Sequence, residues 1–91
     1  MSLAAEIAFS AIVEGGLSAV QDARAALQDI STDADLHPAT RRTLARLAAD
    51  WRYLRAACTA ARHWGMFGDS PTAQRACHRA YAIADRRGGA K

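Results

Sequence analysis

At 91 residues and 9.7 kDa the chain has room for one hydrophobic core, which excludes a multidomain enzyme. Its 51% hydrophobic content is half alanine, and two prolines, six glycines, two cysteines and few β-branched residues accompany it; this excludes collagen-like, disulfide-dense and low-complexity disordered chains. The net charge of +3 is polarised: residues 1–40 hold six acids against Arg24 alone, whereas residues 41–91 hold eleven bases, ten of them arginine, against Asp50, Asp69 and Asp85.

Abundant Ala, Leu, Arg and Gln predict an all-α domain. The first segment runs from about Leu3 to Glu14. Only Glu6, Ser10 and Glu14 are polar, and at about 100° per residue they share one narrow stripe. A helix apolar over most of its circumference is buried on several sides or forms an interface. Phe9 and Val13 are therefore expected at a dimer or partner interface. Gly15-Gly16 breaks this helix. Ser18 with Gln21 is a capping-box pattern that restarts a helix to about Ile30, with Val20, Ala23, Leu27 and Ile30 facing inward.

Ser31 to His37 reads as an acidic, polar loop. Pro38 then opens the longest expected helix, at the first helical position, where its missing N–H costs nothing. Leu44, Leu47, Trp51, Leu54, Cys58 and Ala61 alternate spacings of three and four, a coiled-coil-like seam that ends at Gly65. Trp51 is placed in the core by that seam. Met66 to Asp69 is a turn, and Ser70-Pro71 caps a last helix to about Arg87, stopped by Gly88-Gly89. Its inner face is Ala73, Ala76, Cys77, Ala80, Tyr81 and Ala84. The fold expected of residues 1–91 is thus a single four-helix, bundle-like domain with a long central helix and a C-terminal αα-hairpin.

Within that hairpin, Ala61, Trp64, Gly68-Asp69, Ala73, Cys77 and Ala80 follow a small, aromatic, turn, small, large, small order. Residues 57–87 resemble a single tetratricopeptide unit on these positions. The resemblance implies a tightly packed αα-hairpin whose faces need neighbours. It stops there: a shift of about 34 residues puts Arg46 where a small side chain belongs and Ala34 at the turn glycine.

Metal and catalytic chemistry find little purchase. Cys58 and His63 diverge by roughly 140° round a helix, and the adjacent Cys77 and His78 by about 100°, so they do not converge on a tetrahedral zinc site. Two buried, reduced thiols are expected instead. No nucleophile–base pairing or phosphate loop is visible, so no enzymatic activity and no cofactor is expected.

The arginines carry the functional reading. Arg75, Arg79 and Arg86 fall within about 40° on the last helix, opposite its alanine face. Arg41, Arg52, Arg55 and Arg62 form a second stripe on the flank of the seam, within reach of Asp22 or Asp29. Arginine suits bidentate recognition of carboxylate and phosphate. The expected function is a small, cytoplasmic, non-enzymatic protein, a regulator or inhibitor, that binds an acidic protein partner through these arginines. Nucleic-acid binding through the same stripes and a structural homo-oligomer on the first helix are the alternatives. With Trp51 in the seam, the basic residues lack the interleaved aromatic of a single-strand binder. No basic leader or membrane span is read at the N-terminus.

Overall fold

A computed structural model describes residues 3–86, which form five helices: α1 (Leu3–Glu14), α2 (Val20–Ile30), α3 (Pro38–Ala48), α4 (Trp51–Phe67) and α5 (Pro71–Ala84). The all-helical class agrees with the composition; the helix count does not. The expected helix from Pro38 to Gly65 is two helices, separated at Ala49 and Asp50. The expected stop at Gly88-Gly89 lies outside the described residues. Among those described, no helix is long and apolar enough to cross a membrane.

α1 packs against all four other helices, as does α4. Ala4, Ala5, Ala8, Phe9 and Ile12 are buried, and the Phe9 ring lies 4.8 Å from that of Tyr81 on α5. Much of the apolar surface of α1 is therefore covered within the chain, although Leu3 is exposed and Ile7, Ala11 and Val13 are half-buried. Phe9, expected at an oligomer interface, is 7% exposed within the single chain. Val13 is half-buried at the edge of the same core.

α1 ends in a Schellman turn, in which Leu17 N–H donates to Ile12 C=O and Gly16 N–H to Val13 C=O. Gly16 has φ +65°, which favours glycine. At Gly15 a Cβ would meet Ala11 O at 2.8 Å, so both glycines are needed. The capping box expected of Ser18 and Gln21 does not form. α2 starts at Val20 with Ala19 as its cap, which leaves Ser18 one residue too early. Ala23 and Leu27 are buried and Val20 and Ile30 half-buried, as the periodicity predicts. Arg24, the single base of the acidic half, donates from Nε to Ala48 C=O at 3.1 Å and so ties α2 to the end of α3.

The other caps follow the sequence. His37 accepts at Nδ1 from Ala39 N–H, and Pro38 occupies the first turn of α3. Ser70 Oγ accepts from Ala73 N–H at the start of α5. Asp50 caps α4, its Oδ1 accepting from Arg52 N–H at 3.0 Å and Tyr53 N–H at 3.2 Å. That cap explains the interrupted helix. A short carboxylate drawn to the N–H groups ahead of it holds its own backbone extended, at φ −98° and ψ 98°.

The break changes the pattern locally. Leu44 and Leu47 remain in the core, as do Leu54, Cys58 and Ala61, but Tyr53 and Ala57 join them and Trp51 turns outward. Trp51 is 54% exposed, which corrects its placement in the seam. α4 and α5 then pack antiparallel through small residues, with Ala57, Ala60 and Ala61 buried on one helix and Ala73, Ala80 and Ala84 on the other. Gly68 (φ +65°) turns the chain between them.

Candidate anion-binding groove

The face of the α4/α5 hairpin turned away from α1 carries a groove of about 1060 Å³. Five arginines line it: Arg52 and Arg55 from α4, Arg75 and Arg79 from α5, and Arg86 just beyond the end of α5. Their positions follow from helical spacing. Arg52, Arg55 and Thr59 recur at three and four residues along α4, as do Arg75 and Arg79 along α5, with Arg86 two turns further on. Because the helices run antiparallel, the two rows face each other across the trough. The floor is small and mostly apolar, with Ala56, Ala76, Ala82 and Ile83, and two hydroxyls, Thr59 and Thr72, open into it. Among the described residues no acidic side chain lines the groove.

Each end of the trough is aromatic. At one end the Arg55 guanidinium lies 5.4 Å from the centre of the exposed Trp51 ring, a cation–π contact. At the other, His63 stacks on the exposed Phe67, with ring centres 6.1 Å apart and 23° between planes. The Nδ1 atom of His63 is buried without a hydrogen-bond partner.

The two expected arginine stripes fare differently. Arg75, Arg79 and Arg86 are exposed on one face, as predicted, and all three reach the groove. The flank stripe is divided. Arg52 and Arg55 join the groove, but Arg41 is on α3, half-buried with its Nε atom lacking a partner. Arg62, one turn beyond Cys58 on α4, is exposed and lies outside the groove lining. Sequence reasoning missed Trp51, His63 and the two threonines as groove residues. One signal was available for Trp51: Asp50 is a favoured cap residue standing just before an apolar run.

The opposite face of the hairpin gathers Tyr53, Cys58, Cys77 and Tyr81. Both cysteines are free. Burial pushes the Cys58 thiol up, with Arg62 opposing and Asp22 adding to the shift, and burial likewise raises Cys77. Such thiols are poor nucleophiles near neutral pH. Tyr53 is wholly buried, its hydroxyl finds no partner, and burial followed by Tyr81 and the two cysteines holds its proton far above the usual phenol range. Among the described residues no group of three or more His, Cys, Asp or Glu side chains converges as a metal site.

The groove can hold anions. Guanidinium groups stay charged at every physiological pH, present paired donors, and match carboxylate and phosphate oxygens in geometry. Comparison of the chain with protein-family models, with curated proteins and with solved structures finds no match.

Proposed function

We propose that this protein is a non-enzymatic binding module that holds an anionic macromolecule in the α4/α5 groove. One observation carries the reading: five exposed arginines converge on a single trough whose described lining contains no acid. A folded protein that intended these arginines for internal ion pairs would place carboxylates among them. The acids of residues 1–40 instead belong to α1, α2 and the turn before α3. Like charges held side by side repel, and a polyanion relieves that repulsion on binding. A regulator or inhibitor could act in this way, by occupying an acidic surface of its target.

An acidic protein segment and a nucleic acid both satisfy that charge. The outward position of Trp51 favours nucleic acid, because it supplies the aromatic surface that the basic stripes would otherwise lack. The likeness of the hairpin to a tetratricopeptide unit accords with a binding role, since α1 fills one face and leaves the other open. Homo-oligomerisation through α1 is the weaker proposal, with Phe9 committed to the core.

Salt elution from immobilised heparin, used as a generic polyanion, tests the groove. The double variant Arg75→Ala, Arg79→Ala should elute at clearly lower salt than Arg42→Ala, Arg62→Ala, which removes the same charge from exposed positions on α3 and α4 outside the trough. Equal shifts for the two variants would mean that net charge alone is read, and the groove would be rejected.

A further inference from the structure

Resting on that anion-binding reading, we infer that the occupant of the groove is a single-stranded nucleic acid, with an unpaired base stacked on Trp51. Three features point to a single strand. The first is shape. The trough follows the crease between α4 and α5, and packed helices lie about 8–10 Å apart. A duplex is read by protein elements that project into its grooves, which a trough cannot do. The second is the pairing of charge with aromatic surface. Trp51 has one face against Arg55 and is 54% exposed, so a flat ring can lie on it. A carboxylate chain gains from the arginines and nothing from that ring, whereas a nucleotide gains from both. The third is length. From Trp51 to His63 the α4 rise is roughly 18 Å, enough for about five stacked nucleotides at roughly 3.4 Å per step. Phosphates would run along the two arginine rows, with the Thr59 hydroxyl of the α4 row available to them.

Fluorescence anisotropy with three labelled probes tests this: a 15-nucleotide oligo(dT), a 15-base-pair DNA duplex, and a polyglutamate peptide of matching charge. The wild-type protein should bind oligo(dT) at least tenfold more tightly than either of the others. Trp51→Ala should weaken oligo(dT) binding by about five- to a hundredfold, the usual range for loss of one stacked base. It should leave polyglutamate binding and the melting temperature nearly unchanged, and Trp51→Phe should restore most of the affinity. Arg75→Ala with Arg79→Ala should flatten the plot of log affinity against log salt by about 0.7 per lost phosphate contact. Polyglutamate bound as tightly as oligo(dT), duplex preferred over the single strand, or indifference to Trp51→Ala would each overturn the inference. In the first two cases loss of binding in the arginine variant would still uphold the groove, so the two readings fail separately.

Discussion

The α4/α5 hairpin has two faces built from the same two helices, and they solve opposite problems. The face toward α1 carries Tyr53, Leu54, Ala57, Cys58, Ala80 and Ala84, all buried, and no charged side chain. The face toward solvent carries five arginines over a floor of alanine. Alanine serves both. Toward the core it lets the helices approach closely; toward solvent it keeps the floor low, so that long side chains from each helix stand as walls. A leucine at Ala76 or Ala82 would raise the floor and remove the trough without adding to the core. The small-residue pattern that looks like economical packing on one side is thus what makes a cavity on the other.

The contrast is most easily broken on the inner face. Leu54→Ala should destabilise the domain by about 2–5 kcal/mol, the range for a fully buried leucine, and a small domain has little more than that to lose. A thermal melt within a few degrees of the parent would show that this face is loosely packed.

An intermediate effect is expected from alkaline pH, because only the inner face titrates there. Cys58 and Cys77 have thiols raised from an ordinary value near 9, and Tyr53 and Tyr81 have phenols raised from near 10. In each case the unfolded chain releases its proton first. Stability contributed by the protonated groups is therefore intact below about pH 8.5 and falls as pH climbs past 9 and then 10. Melting temperature followed from pH 7 to 10.5 should be flat and then decline. Replacing both cysteines by alanine should delay the onset of the decline toward pH 10. A decline beginning near pH 7 would contradict the burial of these groups.

Smallest of all is the effect expected at Trp51. Because the side chain is exposed, Trp51→Ala should cost less than about 1 kcal/mol, in contrast to the roughly 3–5 kcal/mol due for a core tryptophan. Urea denaturation of the variant settles which face the ring belongs to. A large loss would return Trp51 to the seam and leave the groove without its aromatic end.

Much of this architecture was legible in the chain because it depends on local signals. His37-Pro38 and Ser70-Pro71 mark helix starts, Gly15-Gly16 marks a stop, and the spacing of Ala23, Leu27, Leu44 and Leu47 marks buried faces. Each of these acts within a turn or two of helix. The exception is instructive: the unbroken spacing of three and four from Leu44 to Ala61 outweighed the single cap residue at Asp50. Periodicity assumes a continuous helix; the extended residue at Asp50 turned Trp51 outward at the break, while Leu54, Cys58 and Ala61 beyond it kept the expected face. The site was half legible for a related reason. The stripe on α5 could be drawn on a helical wheel, but the pairing of Arg52 and Arg55 with it, and the exclusion of Arg41 and Arg62, depends on how separate helices are placed. So does the burial of Phe9, since an all-round apolar helix satisfies a hub and an interface equally well.

The position of α1 bears on how the fold closes. Phe9 and the ring it packs against, Tyr81, stand some seventy residues apart in the chain, so this one contact ties the first described helix to the last across a long loop. Such a contact gains its energy only after the loop entropy between its ends has been met. A variant lacking α5 would leave the Phe9 ring uncovered on an otherwise folded surface, where chaperones and proteases find their targets.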